Sequence, residues 1–477
     1  MPRTTDAGIR PPDNVLSFAA SRNVMAASHL LALVGNTPLV QLSRLDTGPC
    51  ALYAKLECQN PGGSIKDRIA VSMIGAAEKE GLLRPGGTIV EATAGNTGLA
   101  LALIGSLKGY RTLLVVPDKM SREKIQHLKA LGAEVVMTRS DVGYGHPAYY
   151  QDLARRLASE RQDAWYANQF ANPANPAAHE RTTGPEIWEQ MDHRVDAVVC
   201  GVGSAGTITG LTRFFRSAGH DVKMILADPT GSVLAEYTRS GKVGEAGSWL
   251  VEGIGEDFVP PIADLSGVSH AYSIDDAESF AAGRELFRVE GVFGGSSTGT
   301  LLAAALRYCR SRKKPERVVT FVCDQGAKYL SKMYDDFWMA DQGLLERATA
   351  DDLTDLITRR FAEGAVVTTA PTDTLLTAHG LFKLYNVSQL PVVDDRRIVG
   401  IVDESDVLLA VVRDAERFSA PVSSVMSTRL DTVAPEAPIA RLLDIFEREH
   451  VPIVVNNGTF VGLITRIDIL NYLRRKL

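Results

Sequence analysis

Short apolar runs rich in β-branched residues alternate with longer helix-like stretches through about the first 330 residues. The runs at 88–91, 112–116 and 134–137 are separated by helix-like stretches at 99–107 and 122–131. Because apolar runs that alternate with helical stretches are typical of buried parallel strands, the pattern predicts βαβ units on a largely parallel sheet. Runs of the same kind recur further along, at 196–200, 222–226 and 318–322. The predicted class of this region is α/β.

The alternation weakens after Trp338, where a polar stretch begins. A shift of this kind is typical of a linker between domains. We therefore predict four boundaries. The resulting segments are a flexible N-terminal arm at 1–30, a first domain at 31–339, a linker at 340–360, and two further domains at 361–418 and 419–477.

Beyond the linker the chain repeats itself. The tetrapeptide Leu-Pro-Val-Val at 390–393 recurs as Val-Pro-Ile-Val at 451–454, and Asp406 recurs as Asp468, 62 residues later. Each copy has the pattern of a strand, a turn, a strand and a helix. Since a solenoid needs three or more units, two copies predict a packed pair of modules.

Composition restricts the partners of the chain. Its 477 residues carry a net charge of −6 with both signs interspersed, which favours small metabolites over nucleic acid or a membrane as partners. No apolar stretch is long enough to cross a bilayer, and the N-terminus lacks a signal-peptide core, so we expect a cytoplasmic protein. The five cysteines form no Cys-x-x-Cys pair and predict buried thiols rather than a metal site.

Lys66 lies in the glycine-rich tract 61–68, Pro-Gly-Gly-Ser-Ile-Lys-Asp-Arg. The ordinary interpretation is a solvated lysine at the start of a helix. At that position the helix dipole, together with burial, lowers the pKa of the amine and favours the neutral form that attacks an aldehyde. With two further Gly/Thr loops downstream, the tract suggests pyridoxal phosphate chemistry, which needs such an amine, donors for a substrate carboxylate and a cradle for the cofactor phosphate.

Those two loops each follow an apolar run and precede a helical stretch. The loop at 93–98, Thr-Ala-Gly-Asn-Thr-Gly, is placed to bind a carboxylate, and the loop at 201–207, Gly-Val-Gly-Ser-Ala-Gly-Thr, is placed to bind a phosphate. Either could also be an ordinary strand-to-helix turn. The second loop also matches the Gly-x-Gly-x-x-Gly fingerprint of dinucleotide-binding dehydrogenases, with Asp228 as a candidate acid, so that class stays open at this point.

The order of these loops resembles the fold-type II pyridoxal phosphate enzymes, in the branch of cysteine synthase and cystathionine β-synthase. The resemblance covers 31 to about 338 and includes the stretches at 34–39, 168–173 and 294–299. It implies that Lys66 is the Schiff-base lysine, that Asn96 contacts the cofactor 3'-oxygen and that Ser296 faces the pyridine nitrogen. The implied phosphate cup is Gly203, Ser204, Ala205, Gly206 and Thr207, and the implied carboxylate site is Thr93, Ala94, Gly95, Thr97 and Gln169. Ala94 departs from the usual serine.

The resemblance implies a β-replacement, which a neutral hydroxyl at the pyridine nitrogen favours over transamination. The stretches 228–234 and 251–258 look more like cystathionine β-synthase and imply L-serine and L-homocysteine as substrates. The alternatives are an O-acetylserine sulfhydrylase and, from another class, a non-catalytic sensor of adenosyl nucleotides. No residue decides the leaving group or the thiol by physics alone.

The C-terminal repeat resembles a tandem of CBS domains, an α+β regulatory unit called a Bateman module. The resemblance implies an adenosyl ligand such as S-adenosylmethionine held by Thr465 and Asp468, although a helix cap explains these residues equally well. In the first repeat Asp403 replaces the hydroxyl residue, where a carboxylate would repel a polyphosphate. Some members of the resembled branch hold a haem through a cysteine and a histidine in an N-terminal extension. Since no cysteine precedes Cys50 in this sequence, we expect no haem. The resemblance also implies a homodimer or larger homo-oligomer.

Overall fold

The computed structural model describes residues 27–93, 95–118, 120, 122–143, 145–345, 350–412 and 414–476. The described chain falls into two compact units. The first runs to Ile274 and resumes over Leu286–Gln325, and the second comprises Asp275–Glu285 and the chain from Gly326 onward. Within the described residues no helix has the length and apolar character needed to span a membrane.

Parallel strands dominate the first unit. The described strands are β1 (Leu39–Gln41), β2 (Ala51–Lys55), β3 (Thr88–Ala92), β4 (Arg111–Pro117), β5 (Glu134–Thr138), β6 (Ala164–Tyr166), β7 (Ala197–Gly201), β8 (Lys223–Pro229), β9 (Val268–Ile274) and β10 (Arg317–Phe321). The described α-helices up to Arg310 are α1 (Lys66–Lys79), α2 (Asn96–Leu107), α3 (Arg122–Ala130), α4 (Tyr150–Ser159), α5 (Ala174–Ala178), α6 (Gly184–Gln190), α7 (Gly206–Ser217), α8 (Leu234–Ser240), α9 (Asp276–Glu290) and α10 (Ser296–Arg310). Short 3-10 turns occupy Leu30–Leu33 and Glu57–Gln59, and a π-helical turn occupies His179–Thr183.

These strands form two sheets. One has the order β1-β2-β10-β7-β8-β9 and is parallel except where β1 meets β2, and the other is the parallel sheet β5-β4-β3-β6. In the first sheet Val318 pairs with Leu52 on one side and with Ala197 on the other. The carboxyl ends of β2, β10 and β7 therefore lie side by side, which is where open α/β sheets bind ligands.

Both faces of the smaller sheet are covered. Ile89 packs with Ile69, Met73 and Ile104 under α1 and α2, and neighbouring Val90 packs on the other face against α4. Because successive side chains of a strand point to opposite faces, a strand buried on both faces is mostly apolar. This packing explains the largely apolar runs in the sequence, and the two sheets confirm the predicted α/β class.

A cluster of buried charges fixes the first turn of α1. The guanidinium of Arg68 binds Glu57 at 2.8 Å and Glu186 at 2.7 Å, and Lys55 binds Glu186 at 2.8 Å. Lys55 and Glu57 are fully inaccessible to solvent, and Arg68 is 4% exposed. Two cations thus face two carboxylates, so the charges of the cluster balance. Its member Arg68 lies two residues after Lys66 in the same helix.

The second unit contains the two repeats. Its described elements beyond α9 are α11 (Asp336–Asp341), α12 (Leu375–Tyr385), β11 (Gln389–Asp394), β12 (Arg397–Asp403), α13 (Glu404–Val411), β13 (Thr432–Val433), α14 (Ile439–Phe446), β14 (Ile453–Asn456), β15 (Thr459–Leu463) and α15 (Arg466–Lys476). The described 3-10 turns of this unit are Gly326–Tyr329, Leu353–Leu356, Phe361–Glu363, Ala415–Ser419 and Val422–Ser424. Each repeat gives the predicted strand, turn, strand and helix.

Each repeat has its own core. Val392, Val402 and Phe382 lie in the first, and Val454, Ile464 and Leu442 lie in the second. The second core also includes Leu353, Leu356 and Ile357, which come from the segment between the first domain and the repeats. The expected α+β module is confirmed.

Candidate active site

Lys66 is the first residue of α1, and the turn before it is held to the end of β10. Gly63 adopts a φ of +73°, which a side chain would disfavour, and Ile65 N donates to Cys323 O at 2.9 Å. Lys66 is half-buried. Desolvation lowers the pKa of its amine, and electrostatic interactions with Cys323, Asp324 and Glu256 act in the opposite direction. A lowered pKa makes the neutral form, which is the nucleophilic form of a lysine, easier to reach.

Asn96 is brought to the same place from α2. This helix begins at Asn96, three residues earlier than the predicted helical run, so Asn96 projects from its first turn. Its Nδ2 donates to Asp324 Oδ2 at 2.7 Å. Asp324 is fully buried and is one of the groups whose charge acts on Lys66. Lys66 and Asn96 therefore share one carboxylate neighbour.

The predicted carboxylate-binding residues lie together at the end of β3. Thr93 Oγ1 accepts hydrogen bonds from Gly95 N at 3.1 Å and Gly98 N at 3.2 Å, and Thr97 Oγ1 donates to Gln169 Oε1 at 2.7 Å. The two accepted bonds use both lone pairs of the Thr93 hydroxyl, whose hydrogen can be donated to an anion. Ala94 lies outside the described residues.

The predicted phosphate loop forms a cup at the N-terminus of α7. Ala205 adopts the left-handed conformation with φ +68° and provides no side-chain cap to the first N–H groups of this twelve-residue helix, which suits them to bind an anion. A Cβ on Gly206 would lie 1.8 Å from Asn175 Oδ1, and one on Gly203 would lie 2.7 Å from Gly253 O. Both positions need glycine for the loop to close.

Two residues of the cup contact side chains from the preceding helical segment. Ser204 Oγ accepts from Asn175 Nδ2 at 2.9 Å, and Thr207 Oγ1 lies 3.3 Å from His179 Nε2. Burial and the charges of Arg68 and Lys66 hold the pKa of His179 well below its ordinary value. A neutral imidazole adds no fixed charge to the cup.

Ser296, the first residue of α10, is 2% exposed, and its Oγ accepts from Glu252 N at 3.0 Å. The carboxylate of Glu252 forms a buried ion pair with Lys124 at 2.5 Å. The Lys124 side chain in turn lies 3.0 Å from the position that a Cβ would take on Gly95. This pair links the carboxylate loop to the Ser296 region.

Sequence reasoning missed five residues around the site. Asp324 follows an apolar strand, so its position at the carboxyl end of β10 was a usable signal. The others are distant in sequence from their partners and gave no pattern to find. They are Lys124, Glu252, Asn175 and His179. No group of three or more His, Cys, Asp or Glu suited to a metal occurs in the described part of the chain.

Glu91 makes the stability of this region sensitive to pH. It is fully buried in β3, and burial raises its pKa to about 8 despite hydrogen bonds from the backbone N–H groups of Ala92 and Gln169. The native state therefore binds more protons than the unfolded state between about pH 4.5 and 8. The free energy of unfolding should fall as pH rises through this window.

We expect Glu91→Gln to flatten that slope, because the amide does not titrate. The measurement is urea denaturation at pH 5, 6.5 and 8. Glu80→Gln, at an exposed position, is the control and should keep the wild-type slope. Equal slopes in the wild type and Glu91→Gln would contradict the assignment.

The tandem repeats place their predicted ligand residues at helix starts. Asp468 Oδ2 accepts from Thr465 N at 2.7 Å and Thr465 Oγ1 at 2.5 Å, while Asp468 Oδ1 accepts from Thr358 Oγ1 at 2.6 Å. Thr358 Oγ1 also lies 3.1 Å from Asp341 Oδ1, which is the second acceptor within reach of its one hydrogen. In the first repeat Asp403 and Asp406 form a reciprocal capping box.

The site fits pyridoxal phosphate by the chemistry of its donors. Lys66 offers an amine with a lowered pKa, the cup at α7 offers backbone N–H groups in a space that a Cβ would fill, and Ser296 offers a neutral hydroxyl. Near them, Asn96 contacts Asp324, and Thr207 of the cup lies 3.3 Å from His179. An amine, an anion cup and a hydroxyl are the groups that an aldehyde cofactor with a phosphate and a ring nitrogen requires.

Comparisons with known proteins agree with a pyridoxal phosphate site. Residues 30–324 match the family described as pyridoxal-phosphate dependent enzyme, and 354–413 and 422–475 match the CBS domain. A cystathionine beta-synthase of Dictyostelium discoideum is 33% identical over 461 residues, 94% of this chain and 92% of that protein. Cysteine synthase 1 of Neurospora crassa is 39% identical over 70% of this chain and 90% of its own. The crystal structure of an O-acetylserine dependent cystathionine beta-synthase from Helicobacter pylori superposes with a TM-score of 0.60 at 36% identity, covering 65% of this chain and 98% of that one.

Fold and site therefore define a pyridoxal-phosphate-dependent enzyme of fold type II with a tandem CBS module. This class excludes both the dinucleotide-binding dehydrogenase and the non-catalytic sensor. Within the class, the chain belongs to the cystathionine β-synthase family, as its sequence predicted. The cysteine synthase alternative fits less well, because that relative covers a smaller share of the chain.

Gly206→Ala should weaken cofactor binding more than it weakens the fold. The added methyl group would overlap Asn175 Oδ1, and relieving the overlap displaces the loop at an expected cost of about 1–3 kcal/mol. We expect at least about a tenfold loss of cofactor affinity, measured by absorbance titration of the apoprotein.

Gly75→Ala in α1 is the matched control, since nothing lies within 4 Å of its added Cβ. It should keep full affinity and be stabilised by up to about 1 kcal/mol through higher helix propensity. Unchanged affinity in Gly206→Ala would contradict the assignment of the cup.

Proposed function

We propose that this chain condenses L-serine with L-homocysteine to give L-cystathionine and water, with pyridoxal phosphate bound at Lys66. The observation that carries the proposal is the arrangement around the Lys66 amine, which is desolvated and shares Asp324 with Asn96. A carboxylate loop at 93–98 and an anion cup at 203–207 complete the set. Relatives named cystathionine beta-synthase over nearly the whole chain support this choice of reaction.

Each group of residues binds a different part of the cofactor. Gly203, Ser204, Ala205, Gly206 and Thr207 hold the cofactor phosphate, Asn96 orients its ring oxygen, and Ser296 donates a hydrogen bond to its ring nitrogen. When bound, pyridoxal phosphate supplies an aldehyde for the substrate amine and a sink for the electrons released at Cα. Because Ser296 is a neutral hydroxyl, it leaves that sink shallow, which favours expulsion of a group from Cβ.

The substrate is oriented by its carboxylate. Thr93, Gly95, Thr97 and Gln169 bind this group and place the Cα–H bond toward Lys66. Lys66 Nζ takes the Cα proton and passes it to the β-hydroxyl, which departs as water. The homocysteine thiol gives its proton to Lys66 Nζ as its sulfur forms the new bond at Cβ. Lys66 Nζ then returns a proton to Cα, so one amine acts as base and as acid.

Competition between substrates tests the proposal. Purified holoenzyme is supplied with serine or O-acetylserine and with homocysteine or sulfide, and products are separated by mass spectrometry. We expect cystathionine from serine and homocysteine with the highest kcat/KM. Cysteine as the dominant product, from O-acetylserine and sulfide, would instead establish the sulfhydrylase.

We further propose that the second CBS domain binds an adenosyl ligand such as S-adenosylmethionine through Thr465 and Asp468. The support is their position together at the start of α15. Isothermal titration of S-adenosylmethionine into the wild type and Asp468→Asn tests it. Equal binding by both proteins, or none by the wild type, would leave the pair as a helix cap.

A homodimer or larger assembly is also proposed. Large apolar side chains are exposed on the helices of the CBS module, where association with a second copy would remove them from water. They include Leu376, Leu384, Leu408, Leu409, Leu443, Ile467 and Leu470. Light scattering coupled to size exclusion measures the mass, and a monomer at micromolar concentration would contradict the proposal.

A further inference from the structure

The loop at 252–258 carries an acid, Glu256, whose backbone is fixed on both sides. Glu256 N donates to Ser232 Oγ at 3.1 Å, and Glu256 O accepts from Val233 N at 3.0 Å. The preceding Gly255 N donates to Val202 O at 2.8 Å. The position of this side chain is thus set by β7 and by the turn after β8.

The Glu256 carboxylate faces the site. Its Oε1 lies 3.9 Å from the position that a Cβ would take on Gly203, at the edge of the phosphate cup. Its charge acts on the Lys66 amine and on the hydroxyls of Tyr149 and Tyr150, whose pKa values it helps to raise. The side chain is half-buried, so part of it meets solvent at the opening.

A carboxylate at this position discriminates by charge. It repels the cofactor phosphate, sulfide and the carboxylates of substrates, and it attracts an ammonium group. The first substrate has its carboxylate on the 93–98 loop and its amine on the cofactor, so neither group needs Glu256. A second substrate that is itself an amino acid brings another ammonium group, whereas sulfide brings none.

We infer that Glu256 determines specificity for the second substrate by binding the α-ammonium group of an amino-acid thiol. The inference rests on the proposed β-replacement and adds a residue that selects homocysteine over sulfide. Charge attraction at a half-buried site lowers KM for the charged thiol. A thiol that lacks an amine gains no such attraction, so its KM is not lowered by Glu256.

The test replaces Glu256 with glutamine, which keeps the shape and removes the charge. We measure kcat/KM with serine as first substrate and with homocysteine, 4-mercaptobutanoate or sulfide as the thiol. We expect kcat/KM for homocysteine to fall at least about tenfold relative to the values for the two thiols without an amine, chiefly through KM. Glu256→Asp should recover part of the selectivity. Asp257→Asn, the exposed neighbour, is the matched control and should keep the wild-type ratios.

Two outcomes would overturn the inference. Equal losses for all three thiols, with a shifted pH profile, would mean that Glu256 acts through Lys66. Unchanged ratios in Glu256→Gln would mean that the ammonium group binds elsewhere. A third outcome concerns the proposed function. If the wild type forms cysteine from sulfide but no cystathionine, the proposed function is wrong. This result is obtained with the wild type alone, so it is distinguishable from a failure of the inference about Glu256.

Discussion

Lys66→Ala should lower the rate of β-replacement by at least about 10³-fold while the protein stays folded. Lys66 Nζ is the proposed base and acid at Cα, and loss of such a group commonly costs 10²–10⁴-fold before its role in holding the cofactor is counted. Because the amine is desolvated in the native state, removing it should not weaken the fold. The measurements are turnover with serine and homocysteine, and the thermal midpoint.

Lys79→Ala is the matched control, since Lys79 ends the same helix at an exposed position. It should retain full turnover. Borohydride reduction followed by peptide mapping gives an independent readout, with the reduced cofactor expected on the peptide that contains Lys66. Undiminished turnover in Lys66→Ala, or a label on another lysine, would contradict the proposed role.

Arg68→Met should destabilise the protein by about 3–5 kcal/mol. Arg68 binds both Glu57 and Glu186, and its loss leaves the buried Glu57 and the half-buried Glu186 with Lys55 as the remaining cation of the cluster. Breaking a buried ion cluster by removing one partner commonly costs this much, because the other charge stays desolvated. Urea denaturation of the holoenzyme measures the change.

Arg111→Met supplies the contrast. Arg111 pairs with Asp163 on the surface, where the two side chains are 66% and 50% exposed. Exposed pairs contribute about 0–1 kcal/mol, so this variant should differ little from the wild type. A cost below about 1 kcal/mol in Arg68→Met would show that Glu57 and Glu186 become protonated or solvated when the arginine is lost.

Local patterns predicted the elements of the fold closely. The run at 88–91 became Thr88–Ala92, which is buried on both faces, and that at 134–137 became Glu134–Thr138, which lies at the edge of its sheet. The helix predicted from 99 begins at Asn96. Its first turn is polar, and polar first turns carry little of the apolar signal on which the prediction relied.

The site was predictable only where one loop supplies the chemistry. Lys66 and the loop at 203–207 are predicted from their own local sequence, and they stay predictions. The Lys124–Glu252 pair joins residues 128 positions apart, and Asn175 meets Ser204 across 29. A single sequence holds no record of such long-range contacts, since their formation depends on the tertiary arrangement of the sheets.

The bonds around Asp468 set a condition on any adenosyl ligand. The hydroxyls of Thr358 and Thr465 already occupy this carboxylate, so a ribose must enter by exchange. The ligand's net affinity is then a small difference between two similar sets of hydrogen bonds. Because Thr358 also holds Asp341 at the end of α11, a ligand that displaces Thr358 is coupled to that helix. If the adenosyl ligand changes the affinity of a second ligand that binds at α11, that second ligand must change the affinity of the adenosyl ligand by the same factor.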